Sequence, residues 1–190
     1  MERPPYYSIL EMIEMMDEPY RTPCRESYVE NEELFRISRG STYNHQTWEG
    51  GYHDHVEDAM NKAVREVRDE IATGRPMPFT LTDALVGVYL HDLEKPWRFR
   101  RLPDGSWENT GLMKTKEDRS FFRRAKIREY GIPLTPALEN AIRYAEGEGD
   151  DYDPKRRVMN ELAALVHMCD VYSARLRHDH PRAGDPLSGR

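Results

Sequence analysis

The sequence predicts an all-α fold, a bundle of helices interrupted by one small β-hairpin, and three observations carry that prediction. Apolar residues recur at helical spacing in successive segments, the breaks between segments fall at Gly and Pro, and only residues 98–108 show a strand-turn-strand pattern. In segment 6–17, behind a Pro-Pro start, Ile9, Met12, Ile13 and Met16 fall at i, i+3, i+4 and i+7, an amphipathic helix. Pro19 and Pro23 interrupt, and a shorter helix is expected over about 26–39, ending at Gly40. Residues 52–73 read as a long charged helix with Val56, Ala59, Met60, Ala63, Val67 and Ile71 inward, stopped by Gly74-Arg75-Pro76. Thr80 and Asp83 supply cap chemistry for a helix that is apolar nearly all round and therefore central. Pro103-Asp104-Gly105 marks the turn of the hairpin. Helices follow at about 115–130, 135–146 and 155–178, the last with Leu162, Leu165, Val166, Cys169 and Leu176 as its core stripe.

The 190 residues suit one domain: a helical extension over 1–40 packed on a core domain over 41–180, with a polar tail, 181–190, expected to be disordered. No apolar run reaches the roughly 18–20 residues of a membrane span, the start lacks a secretory pattern, and two cysteines are too few for a disulfide framework. A reducing cytoplasm is the expected setting. The Met-rich face of the first helix, Met12, Met15 and Met16, reads as a core stripe or as packing in a homodimer.

Charge is uneven along the chain. From Lys95 to Arg128 there are eleven Lys/Arg against four acids, a net +7 that leaves −13 for the rest of a chain whose total is −6. Such a block is either a solvated helix face or an attractor for a small anionic substrate or a nucleic acid. It starts beside the residues with the strongest chemical signal. His55, the pair His91-Asp92 and Asp170 each lie in a segment predicted helical. Two imidazoles and two carboxylates converging in a helical bundle are a ligand set for a divalent transition metal. Asp170 stands out because an acid inside Val166-His167-Met168-Cys169-Asp170-Val171 is costly unless paired or metal-bound. Pro96 is expected to loosen the backbone at Lys95, so that adjacent His91 and Asp92 can face one ion.

These segments also carry a family resemblance. His45-Gln46-Thr47-Trp48-Glu49-Gly50-Gly51-Tyr52-His53-Asp54-His55 resembles the opening motif of HD-domain phosphohydrolases. Tyr89-Leu90-His91-Asp92-Leu93-Glu94-Lys95 is similar to their HD signature, and Val166 to Ala174 resembles the segment whose Asp completes the site. The resemblance covers about residues 45–176 in the family's order. It implies an HD-domain bundle with His55, His91, Asp92 and Asp170 as ligands to one Mn²⁺, Fe²⁺, Co²⁺, Ni²⁺ or Zn²⁺. Members with two metals place extra histidines, commonly His-His-Gly, where this chain has Arg143-Tyr144-Ala145-Glu146-Gly147-Glu148-Gly149. One metal is therefore favoured, with Glu146 or Glu148 as the carboxylates for any second ion.

The implied reaction is hydrolysis of a nucleotide phosphoester or phosphoanhydride by a metal-bound hydroxide. Lys95 is the natural cation beside the transition state, with Arg98, Arg119 and Arg123 for further phosphates; Glu94 is the first candidate for moving the proton, ahead of His45, which can also contact substrate. His53 and His167 read as supporting residues, and Trp48, Tyr52 and Trp97 as core residues or platforms for a base. Two alternatives stay open: a nuclease acting on single-stranded RNA or DNA, and a non-catalytic module that binds a metal and a nucleotide. A di-iron oxygenase ranks lower, because its second iron would lack histidines.

Overall fold

In the computed structural model residues 5–179 are described, so the expected tail 181–190 lies outside the described residues. The chain runs α1 (Ile9–Glu14), α2 (Arg21–Ile37), α3 (Gly51–Ala72), α4 (Leu81–Leu90), a single-turn α5 (Lys95–Arg98), β1 (Phe99–Arg101), β2 (Trp107–Asn109), α6 (Lys116–Glu129), α7 (Pro136–Arg143) and α8 (Glu161–Val171). A 3₁₀ turn, Gly149–Asp151, precedes α8, and a π turn, Tyr172–Leu176, continues it. The architecture is all-α with one antiparallel hairpin, in which Phe99 pairs with Asn109 and Arg101 with Trp107.

Capping sets where the helices begin. Ser8 with Glu11, Thr80 with Asp83, and Thr115 with Asp118 form reciprocal capping boxes that satisfy orphan backbone N–H groups. Asn160 accepts from the Ala163 N–H at 2.7 Å, so α8 starts at Glu161 rather than near 155. Helix α2 starts at Arg21, five residues before the sequence suggests, because Pro23 falls in its first turn, where the missing N–H is not needed. Helix α7 stops at Arg143, three residues short of the expected 146, and the chain turns through Gly147 (φ 99°).

Helix α4 is the central element. Every residue from Ala84 to Leu90 is buried, and the helix packs on α3, α7 and α8. Gly87 permits the closest approach: a Cβ there would lie 2.9 Å from Val166 Cγ2 on α8. The long helix α3 contacts α2, α4 and α8. Ile9, Met12 and Ile13 of α1, Met16 in the turn after it, and Cys24, Tyr28 and Phe35 of α2 join the same hydrophobic cluster as α3, α4 and α8, so Met12 and Met16 serve as core. Cys24 and Cys169 are free and buried.

The turn into α3 is built on two glycines. Gly50 adopts φ +82°, and a Cβ on Gly51 would sit 2.0 Å from the Gln46 carbonyl oxygen. The Gly40 N–H donates to that same carbonyl at 2.8 Å, and the Gln46 side chain reaches across to the π turn, donating to Ser173 O and Arg177 O, both at 3.0 Å. Loop 40–50 is thereby folded against the start of α3 and the end of α8.

Because the Gly51 Cβ position is filled by backbone, Gly51→Ala is expected to destabilise the fold by roughly 1–3 kcal/mol, the scale of overpacking. Urea denaturation measures this, and a midpoint equal to that of the parent would contradict the close approach.

Candidate metal centre

Three helices deliver four side chains to one point. His55 lies in the second turn of α3, His91 and Asp92 follow the last residue of α4, and Asp170 lies one residue before the end of α8. The His-Asp pair sits where the α4 hydrogen-bond ladder has ended, which frees adjacent residues to face one centre. Pro96 does not produce this opening by unwinding Lys95. Lys95 is the first residue of α5 and Pro96 the second, a position that tolerates proline.

One ligand atom from each of His55, His91, Asp92 and Asp170 lies within 4.8 Å of all the others, so this buried group could hold a metal ion. The two Nε2 atoms are 3.2 Å apart. His91 Nε2 lies 3.1 Å from Asp92 Oδ2 and 3.6 Å from Asp170 Oδ1; His55 Nε2 lies 3.6 and 3.3 Å from the same two oxygens. Metal–ligand bonds of about 2.1 Å give ligand–ligand edges of about 3.0 Å in an octahedron and about 3.4 Å in a tetrahedron. The separations of 3.1, 3.2 and 3.3 Å fall in that range, and the two of 3.6 Å lie just above it. His91 Nδ1 donates to Val88 O at 2.6 Å, which leaves Nε2 as the atom with the lone pair when the ring is neutral.

The donor set also fits a cation electrostatically. Four acceptor groups converge in a largely buried space at the floor of a cleft, and the charges present can only partly compensate. Burial would lower His91, but the Asp92 and Asp170 carboxylates prevail and push it up to about 10. Burial lowers His55. Asp92, which burial would raise, is held well below the carboxylate range by Lys95 and His91, and Asp170 is held low by hydrogen bonds to both imidazoles. Without an ion the cluster therefore keeps its carboxylates ionised and shares a proton on an imidazole. A divalent cation would take that proton's place.

Lys95 Nζ lies 2.5 Å from Asp92 Oδ2. Burial works against its charge, but Asp92 overrides it and holds Lys95 above the ordinary lysine value. Asp92, Lys95 and Asp170 line a cleft of about 310 Å³ together with Asn44, His45, Glu146, Val171, Ala174 and Arg175. His45 packs on His55 with ring centroids 5.2 Å apart, and its Nδ1 is 2.5 Å from Gln46 Oε1. The Gln46 amide nitrogen already donates to two carbonyls, which fixes the flip, so His45 Nδ1 is the donor and Nε2 the acceptor. Burial, reinforced by Lys95, pushes His45 down to about 4, so it is neutral at pH 7.

Other predicted residues lie elsewhere. Glu94 is 2 % exposed and does not line the cleft; Arg123 donates to both its oxygens, at 2.6 and 3.0 Å. Arg98 and Arg119 are also absent from the cleft lining, and Glu148 is not part of it, whereas Glu146 is. Four of the segment's cations are ion-paired, Arg100 with Glu108 inside it and Arg101, Arg123 and Lys126 with Glu49, Glu94 and Glu129 outside it. His53 contacts Tyr28 OH at 3.1 Å, and His167 Nδ1 donates to Ala145 O at 2.7 Å, both remote from the cluster's ligand atoms in role. Tyr52 is a core residue against Phe35; Trp48 donates to Asp54, and Trp97 stacks near Phe122 under Lys126. None of the three aromatics lines the cleft. Asn44, Gln46 and Arg175 carry the loop and the rim without having been singled out in the sequence. Arg175, five residues past Asp170, lies in a π turn for which the residue pattern carries no signal.

No family model, curated protein or solved structure matches this chain.

Added Mn²⁺, Co²⁺, Ni²⁺ or Zn²⁺ at about 100 times its dissociation constant is expected to stabilise the protein by about 2.7 kcal/mol. Asp170→Ala should abolish that gain in a thermal melt, and an unchanged gain would place the ion elsewhere. Since the ion displaces a proton held by His91 up to about pH 10, affinity is expected to fall as pH falls, about tenfold per unit between pH 8 and 6. Calorimetric titration across that range tests it, and a pH-independent constant would count against imidazole ligation.

Proposed function

We propose that this protein is a metal-dependent phosphohydrolase of the HD type, acting on a phosphoester or phosphoanhydride of a nucleotide. The observation that supports it is the buried His55, His91, Asp92 and Asp170 cluster opening, beside an ammonium group, into one polar cleft. The ligands occur in the chain order that the HD resemblance implies, and the bundle is the kind of fold that resemblance leads one to expect.

A bound divalent ion supplies a Lewis acid that acidifies a ligated water from about 15.7 towards about 7 and polarises phosphoryl oxygens. The chain's own groups do the rest. Lys95, kept cationic by Asp92, stands where negative charge gathers on the phosphoryl oxygens. Neutral His45 offers Nε2 as acceptor on the cleft wall and is well placed to orient the attacking water and hold its proton. Glu94 is less well placed for proton transfer because Arg123 occupies both carboxylate oxygens; we assign it the role of fixing the 91–95 turn against α6. The ion pairs that already occupy Arg100, Arg101, Arg123 and Lys126 favour a small substrate over a nucleic-acid backbone, which needs cations free for phosphates.

Phosphate release from a panel of ribo- and deoxyribonucleotides, with Mn²⁺, Co²⁺, Ni²⁺, Fe²⁺ or Mg²⁺, tests the reading. Turnover of at least one nucleotide is expected, abolished by Asp92→Ala. His45→Ala should lower kcat by about 10²–10⁴ while metal affinity is retained. Silence across the panel together with shortening of an oligonucleotide would replace the reading by a nuclease, and silence on both by a binding module.

A further inference from the structure

The cleft beyond the metal cluster has a second cation and no aromatic platform. Its lining is Asn44, His45, Asp92, Lys95, Glu146, Asp170, Val171, Ala174 and Arg175, so the polar groups greatly outnumber the apolar ones. The only ring among them, His45, is packed on His55. A nucleobase would find none of the Trp, Tyr or Phe faces that supply stacking energy. What the lining offers is an anion track: Lys95 at the cluster and Arg175 further out, with the Asn44 amide as an additional donor.

Arg175 stands on that wall within the π turn. In an α-helix residues five apart are rotated by about 140°, which would aim Arg175 away from the side that holds Asp170. The π turn Tyr172–Leu176 takes up an extra residue, and Asp170 and Arg175 line the same cleft. The turn is anchored on both sides of Arg175. Gln46 donates to Ser173 O and Arg177 O, and Ser173 Oγ donates to the His55 carbonyl at 3.3 Å. Among the described residues no carboxylate is ion-paired with Arg175, in contrast to Arg100, Arg101 and Arg123 of the basic segment. An arginine on a fixed backbone at the mouth of a cleft, with no carboxylate ion-paired to it among the described residues, matches bidentate recognition of a phosphate.

We propose that Arg175 is a specificity-determining residue that binds a second phosphate, so that the site selects phosphoanhydrides over phosphate monoesters and is indifferent to the base. This rests on the phosphohydrolase reading for the first phosphate, at Lys95 and the ion, but its test needs no turnover. Inorganic phosphate and methylenediphosphonate, a non-hydrolysable stand-in for two linked phosphates, are titrated calorimetrically into Co²⁺-loaded protein. The visible absorption of Co²⁺ is followed in parallel to show that the ion stays bound. The parent is expected to bind the diphosphonate at least tenfold tighter than phosphate. Arg175→Ala should remove most of that preference, weakening the diphosphonate about tenfold while phosphate changes less than twofold, and Arg175→Lys should restore part of it. The position is exposed, so the fold of these variants should be unaffected, which their far-UV circular dichroism checks. Equal affinities in the parent, or equal losses for both anions in Arg175→Ala, would overturn the proposal. An Arg175-dependent preference in a protein that hydrolyses no nucleotide would sustain it and remove the hydrolase reading instead.

Discussion

Two ionised carboxylates and two imidazoles meet in a largely buried place between helix ends, and the rest of the structure answers to that constraint. Burying a carboxylate without compensation costs several kcal/mol, and two side by side repel each other as well. The chain compensates Asp92 with Lys95 and with the imidazoles, and Asp170 with both imidazoles. This compensation is local and incomplete, because it depends on a proton that the cluster would exchange for an ion. An apolar residue of similar volume at either position would relieve the tension and pack well. Such an arrangement is therefore poorly explained by stability and well explained by ligation.

Geometry of this kind needs its supports held to a fraction of an ångström, and the supports are mostly backbone. Gly87 lets α4 and α8 approach, which brings the end of one helix to the end of the other. Gly51 lets the Gln46 carbonyl lie where a side chain would be, which draws His45 onto His55. Gln46 then ties that loop to the π turn following Asp170. Every ligand is thus fixed by an element that also touches another ligand's element. The Glu94–Arg123 pair extends the scheme to α6, whose only buried residue is Ile127 and which depends on such polar contacts for its seat.

Much of this was legible in the sequence because it follows from periodicity and from unusual placement. The central helix was recognisable from an apolar run with a capping threonine, and the four candidate ligands from imidazoles and carboxylates in segments predicted helical, with Asp170 in an apolar stretch. The loop geometry was not. Nothing in Gln46 announces a residue with φ 41° whose amide bridges two segments more than 120 residues apart. The basic segment illustrates the opposite difficulty: its excess charge is visible in the chain, but partners such as Glu49 and Glu94 come from outside or from its edge and become apparent only in three dimensions. The start of α8 differs from the periodicity because the Asn160 cap outweighs it, and that of α2 because its first turn accommodates Pro23.

The spacing of the ligands along the chain also bears on how the protein folds. His55 is 36 residues from His91, and Asp92 is 78 from Asp170, so the cluster joins segments that are distant in sequence. Closing such loops costs chain entropy before any contact rewards it, which makes the cluster a late event rather than a nucleus. Once formed and occupied, it would act as a cross-link through coordination bonds, restraining the ends of α3, α4 and α8 against separation much as a disulfide restrains two strands. The chain has no disulfide among its described residues, and its two thiols are buried far from any such duty. The pocket proposed for the chemistry would then also be the clasp that keeps the bundle shut.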